Sequence, residues 1–181
     1  MFIDQDKLIY KDFLLSNQDT FIEEYELARD FGAKALEPLA KGRPADYKMW
    51  LDLHNGKWDL SGFLHKDVWF KDYPCKRTMG LVKKLDHTFM AAYSLVKPGC
   101  VIYPHVGYDL DEPVYRVHLP LIVPKDFESC WIKVGEATRS WKMDELLIFD
   151  DTMEHEVQNN TNEDRVVLLI DFYAGAFTGG V

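Results

Sequence analysis

Between residues 89 and 173 the chain breaks into eight short apolar runs: FMAAYSLV, VIYPHV, YRVHLPLIVP, CWIKVGE, TRSWK, ELLIFDD, EHEVQNN and RVVLLIDFY. They are rich in β-branched and aromatic residues, which suit a pleated surface. Turn residues part several of them: Pro98-Gly99, the 107–113 segment, Pro124-Lys125-Asp126 and the polar stretch 159–164. Strands this short bury their apolar faces only by stacking as sheets. The spacing therefore predicts a mainly β fold, a sandwich or jelly roll.

The first 88 residues read differently. Acidic residues crowd the start of TFIEEYELARDFGAKAL, and Phe21, Tyr25 and Ala28 fall at helical spacing, which predicts a helix after Asp19-Thr20. Gly32 ends or interrupts it, and Pro38, Gly42 and Pro44 mark a loop. A short strand is expected near Leu8 and Tyr10. Asn55-Gly56 between WLDLH and KWDLSGFLH predicts a hairpin. CKRTMGLVKKLDH reads as a helix with Met79, Val82 and Leu85 inward. Trp50, Trp58 and Trp69 either fill a core or line a ligand groove. The expected organisation is one domain, 1–181, with a helical and mixed covering layer over 1–88, a β core over 89–173 and a loose tail over 174–181.

Composition excludes several function classes. A formal charge of −9 argues against nucleic-acid backbones and anionic membranes as partners. No apolar run approaches the ~20 residues of a membrane span, and the N-terminus lacks the basic-then-apolar order of a signal peptide. The three cysteines, Cys75, Cys100 and Cys130, are scattered and odd in number, which reads as reduced thiols. Asn159-Asn160-Thr161 reads as a polar turn. The expectation is a cytoplasmic protein; nothing in the sequence sets an oligomeric state.

Two histidines end strand-like runs in the β half, His105 in VIYPHVG and His155 after ELLIFDDTME. Either could be a satisfied structural residue. Together they are the minimum for a mononuclear non-haem iron site, whose usual donors are two histidines and a carboxylate. The position two residues after His105, where that carboxylate commonly lies, is Gly107. Asp109 and Asp111 lie further into the loop. Arg116 and His118 are two apart, so they share a strand face opposite Val117, Leu119 and Leu121. Arg165 opens the last long strand. It makes either a surface ion pair with Glu163 or Asp164, or a buried grip on a carboxylate.

The segments YSLVKPGCVIYPHVG, YRVHLPLIVPKD, LLIFDDTMEHEVQNN and the arginine of RVVLLIDFY resemble, in order and spacing, the aspartyl/asparaginyl β-hydroxylase family of iron(II)- and 2-oxoglutarate-dependent oxygenases. The resemblance runs from about residue 57 to 173. It implies a double-stranded β-helix, a cupin-like jelly roll with flanking N-terminal helices, forming a single oxygenase domain. It implies His105 and His155 as iron ligands, with water where Gly107 replaces the third ligand. It implies Arg165 on the distal carboxylate of 2-oxoglutarate, Ser94 and His118 as further contacts to that co-substrate, and Arg116 near co-substrate and acidic substrate. The implied cofactors are Fe(II), 2-oxoglutarate and O2, and the implied reaction is hydroxylation of an aspartyl/asparaginyl-like or other amino-acid substrate. Members that modify growth-factor-like domains carry a membrane anchor and helical repeats. This sequence shows neither, so their substrate is not carried over; the partner is a small molecule, a peptide or a protein. The alternatives are a cupin-type metalloenzyme that does not use 2-oxoglutarate and a non-catalytic jelly-roll binding module.

Overall fold

A computed structural model of the chain describes residues 1–42, 52–66, 68–107 and 112–179. All eight expected strands form: β4 Thr88–Val96, β5 Val101–His105, β6 Val114–Ile122, β7 Cys130–Val134, β8 Ala137–Ser140, β9 Leu147–Asp150, β10 His155–Asn159 and β11 Arg165–Tyr173. They are preceded by β1 Phe2–Ile3, β2 Trp58–His65 and β3 Val68–Trp69, and by helices α1 Lys11–Ser16, α2 Gln18–Gly42 and α3 Lys76–Val82. The eight divide equally between two antiparallel sheets. The larger runs β1-β9-β6-β11-β4-β2-β3 and the smaller β5-β10-β7-β8. This is the double-stranded β-helix, with the N-terminal strands extending the larger sheet at both edges.

Period two explains why the central strands are almost continuously apolar. On β11, Val166, Leu168, Ile170 and Phe172 face the outer core, where Phe21, Tyr25 and Ala28 of α2 cover the sheet. Val167 and Leu169 face the inner core between the sheets, with Ile132, Trp141, Phe149 and Val157. A strand buried on both faces needs apolar residues at every position, and each fully buried aliphatic side chain contributes ~1.5–3 kcal/mol. The inward set of β11 also holds Arg165 and Asp171. Arg116 and His118 project from the inward face of β6, and Ser94 from that of β4. Polar residues among these apolar neighbours define the site.

Several expectations are corrected. The first strand is at Phe2 and Ile3, paired with Phe149 and Ile148; Leu8 makes a single bridge to Phe177, because the chain enters α1 directly after Tyr10. Gly32 does not end α2, which continues to Gly42. The helix formers Ala33, Lys34, Ala35 and Leu36 offset the ~1 kcal/mol that a helical glycine costs. Pro38 and Gly42 thus fall within the helix rather than in a loop; Pro44 and Trp50 lie outside the described residues. Gly56 turns with φ +81°, but the described part of the expected first strand, residues 52–54, does not pair with β2. His54 bridges Ile102 and Asn55 bonds Val101 and Gly99, so this turn satisfies the edge of β5, which a bare strand would leave unpaired. The helix over 76–82 forms as expected, with Met79 and Val82 buried.

Over its described residues, 174–179, the tail is docked rather than loose. Ala176 and Phe177 are buried, Ile9 N–H donates to Ala176 O and Thr178 N–H to Lys7 O, and the Phe177 ring meets Tyr115 edge-on at 5.3 Å. Phe177→Ala is expected to cost roughly 2–3 kcal/mol in urea unfolding, near the lower end for buried aromatic truncation. A loss under about 0.5 kcal/mol, typical of surface changes, would restore the loose tail.

Candidate active site

One cavity between the sheets is lined by Ser94, His105, Arg116, His118, His155 and Arg165, together with Trp58, Phe149 and aliphatic residues. The six polar residues singled out from the sequence thus converge, although they come from five strands. Asp109 and Asp111 lie outside the described residues.

His105 and His155 are direct partners in the β5–β10 register. Their ring centroids are 4.2 Å apart. Each ring is held the same way: His105 Nδ1 lies 2.7 Å from Tyr103 O, and His155 Nδ1 lies 2.8 Å from Met153 O. A carbonyl only accepts, so each Nδ1 carries the proton and donates it. Each Nε2 is left with a lone pair, the form that binds metals. Burial, the largest influence, lowers the pKa of both rings, which favours neutral imidazole. Among the described residues no group of three or more His, Cys, Asp or Glu side chains is arranged to hold a metal ion. The donor set at this end is the histidine pair.

Gly107 has a steric reason to be glycine. A Cβ there would overlap the Asp151 carboxylate and sit 2.7 Å from Asp151 O. Gly107 N–H donates to that same carbonyl at 2.9 Å. Asp151 is fully buried, and its Oδ1 lies 3.6 Å from His155 Nε2. A carboxylate thus reaches the histidine pair from the β9–β10 connection, not from the position after His105. Sequence reading missed it, because in DDTMEHE it resembles one more acid in a surface turn.

Arg116 departs from its expected role. Its Nε and Nη2 donate to Asp171 Oδ1 and Oδ2 at 2.8 and 2.9 Å, and its Nη1 lies 2.7 Å from Asp151 Oδ1. All three guanidinium nitrogens are engaged by two carboxylates, so Arg116 is not poised to receive an acidic substrate. Asp171 is its cross-strand partner on β11. Burial pushes the Asp171 carboxyl up, and Arg116 pulls it back.

Arg165 is the opposite case. It is 1% exposed, so the surface pairing with Glu163 or Asp164 does not occur. Its guanidinium stacks over Trp141, 4.4 Å from the ring centroid, and Nη1 reaches Ser94 O at 3.4 Å. Its Nε has no hydrogen-bond partner among the described residues. Burial lowers its pKa to about 10, opposed by Cys130, which also hydrogen-bonds it, and by Cys100; among the described residues no carboxylate forms an ion pair with it. A buried cation without a counter-charge is costly, and this one borders a cavity. His118 lies beside it, with Nδ1 accepting from Trp141 Nε1 at 3.1 Å and Nε2 without a hydrogen-bond partner among the described residues. Burial, then Arg165 and Arg116, holds its pKa well below the usual histidine range. Ser94 Oγ accepts from Trp58 Nε1 at 2.9 Å. Trp58 lines the cavity, and Trp141 lies behind Arg165 and His118; Trp69 packs against the outer core instead.

The cavity therefore has two unlike ends. One presents two imidazole lone pairs beside a carboxylate. The other presents a guanidinium without a carboxylate partner among the described residues, an imidazole and a hydroxyl. The residues fit a divalent metal at the first and a carboxylate at the second.

A family model described as Aspartyl/Asparaginyl beta-hydroxylase matches residues 18–174. The ornithine lipid ester-linked acyl 2-hydroxylase of Rhizobium tropici is 38% identical over 99 residues, covering 54% of this chain and 34% of that protein. The aspartyl/asparaginyl beta-hydroxylase of Mus musculus is 33% identical over 102 residues, covering 54% of this chain and 13% of that protein. The chain thus matches about a third or less of the length of these curated relatives. Among solved structures, a predicted oxalate decarboxylase from Thermotoga maritima is 14% identical, with a TM-score of 0.45 over 66% of this chain and 84% of that chain.

Arg116→Met would leave Asp171 and Asp151 buried without their cation. The expected loss is about 3–5 kcal/mol in chemical denaturation, and adding Asp171→Leu should recover much of it. A loss below about 1 kcal/mol, the worth of an exposed pair, would mean that Arg116 is solvated and free to take a substrate carboxylate.

Proposed function

We propose an activity for this chain on one premise: it belongs to the aspartyl/asparaginyl β-hydroxylase family, whose model matches residues 18–174. The activity is iron(II)- and 2-oxoglutarate-dependent hydroxylation of a substrate that carries an amino-acid unit. The observation that carries this reading is the buried Arg165 guanidinium, which among the described residues has no carboxylate partner and a bare Nε, lining the same cavity as the two imidazole lone pairs. A dicarboxylic co-substrate would supply the missing counter-charge.

In this reading His105 and His155 hold the metal through Nε2. Arg165, Ser94 and His118 receive the co-substrate. When bound, iron(II) with 2-oxoglutarate and dioxygen supplies the oxidising power for C–H hydroxylation, leaving succinate and carbon dioxide. The chain's own contribution is placement and dryness. The carbonyls of Tyr103 and Met153 orient the histidines, the Arg116–Asp171 pair anchors Asp151 beside them, and Phe149, Ile132, Val157 and Leu169 exclude water.

The two relatives bear on the substrate. The names of both include an amino-acid unit, aspartyl or asparaginyl in one and ornithine lipid in the other. Three exposed apolar side chains, Tyr103 at 47%, Val106 at 55% and Met153 at 36%, lie within two residues of His105 or His155. That surface favours an amino-acid-bearing substrate with apolar bulk, such as an acyl amino acid, over a free polar amino acid.

The test is anaerobic addition of iron(II) and 2-oxoglutarate to the metal-free protein, followed by the visible charge-transfer band of the chelate. Wild type should develop the band and His155→Ala should not. Arg165→Ala should need at least about tenfold more co-substrate, since losing a buried charged partner costs about 2–5 kcal/mol. Bound iron without a band would favour a cupin-type metalloenzyme that does not use 2-oxoglutarate. Failure to bind metal after reconstitution would favour a binding module.

A further inference from the structure

Three imidazoles face this cavity, and they are not held alike. His105 and His155 donate from Nδ1 to backbone carbonyls and turn bare Nε2 lone pairs inward. His118 has no carbonyl on Nδ1. Its partner there is the indole of Trp141, 3.1 Å away. An indole N–H only donates, so His118 Nδ1 must be the accepting nitrogen. In the neutral ring the proton is then on Nε2, the atom without a partner among the described residues. His118 therefore offers the cavity a hydrogen where the other two offer lone pairs.

Trp141 touches Arg165 as well. The guanidinium carbon lies 4.4 Å from the indole centroid, and the indole and His118 rings lie 5.9 Å apart, tilted by only 30°. One side chain, 1% exposed at the end of β8, thus backs both. Trp58 repeats the arrangement on the other side. Its N–H fills one lone pair of Ser94 Oγ and biases that hydroxyl towards donating.

We propose that Trp141 is a positioning residue that sets the polarity of the co-substrate end. It fixes His118 as an Nε2–H donor and supports the Arg165 guanidinium, so that with Ser94 the end presents donors to an anion. This assignment rests on the 2-oxoglutarate reading above. It adds a specificity: a carboxylate, which accepts only, is taken, and the corresponding amide, whose NH2 would face donors, is refused. A site built to one hydrogen-bond polarity rejects the wrong partner strongly, because its buried groups are then left unpaired.

The test has two arms. Histidine-15N NMR on the metal-free wild-type protein reads the His118 tautomer directly and needs no variant. Nδ1 should resonate as the unprotonated nitrogen and Nε2 as the protonated one. In Trp141→Phe, which keeps an aromatic ring under Arg165 but removes the N–H, His118 should move towards a mixture of tautomers. The second arm is anaerobic titration of the iron(II)-loaded protein with 2-oxoglutarate and with its 5-amide. Trp141→Phe should bind 2-oxoglutarate about tenfold more weakly, the worth of one hydrogen bond to a charged group, while the amide is unaffected or improves. A purely structural role would weaken both ligands together and leave the tautomer unchanged. The inference is overturned by a proton on His118 Nδ1 in wild type, or by equal 2-oxoglutarate affinity in wild type and variant. Wild type with the expected tautomer but no affinity for 2-oxoglutarate would instead defeat the co-substrate reading, and with it the assignment of this end to a dicarboxylate.

Discussion

A charge inside a barrel this small persists only if something of opposite sign meets it. Arg116 and Arg165 stand on neighbouring strands of the larger sheet, both inward and both buried. Arg116 is met by Asp171 and Asp151. Among the described residues, Arg165 is met by an aromatic face, a long hydrogen bond to Ser94 O and the Cys130 thiol, with no carboxylate. The first arrangement is complete and stabilises the wall. The second leaves a cation beside the cavity without a carboxylate among the described residues. The functional reading depends on that asymmetry.

The fold produces the rest by register. Antiparallel pairing sets His105 opposite His155 at adjoining strand ends and Arg116 opposite Asp171 across β6 and β11. Period two then turns Ser94, Arg116, His118, Arg165 and Asp171 to one side of strands whose other side is sealed by the helices. Second partners finish the work. Backbone carbonyls hold two imidazoles with bare Nε2 lone pairs, and an indole holds the third as a donor. The same residue type thus serves both ends of one cavity, distinguished only by what sits on its far nitrogen.

Much of this was legible in the sequence, because it follows from alternation. The eight strands, the shared face of Arg116 and His118, and the strand-end placement of both histidines are period-two statements. The resemblance drew Ser94 and Arg165 into the same set. What escaped was long-range. Asp171 lies in RVVLLIDFY at an even offset from Arg165, so alternation could have placed it inward; its pairing with Arg116 depends on which strands are neighbours, and that is not written locally. Asp151 looked like a surface acid because burial of the β9–β10 connection comes from Gly107 across the sheet. Trp141 was not singled out, and its N–H acquires meaning only from His118. The pairing missing from residues 52–54 before Asn55-Gly56 has the same origin, since the turn residues were claimed by the distant edge of β5.

The account's central claim is one cavity with a metal at the histidine pair and a carboxylate on Arg165. Crystals grown anaerobically with manganese(II) and 2-oxoglutarate test it most directly, through anomalous scattering at the manganese edge. The account predicts a single metal peak within bonding distance of His105 Nε2 and His155 Nε2, and a ligand carboxylate against the Arg165 guanidinium. A metal peak away from both histidines, or an Arg165 paired with a protein carboxylate and no ligand beside it, would contradict it.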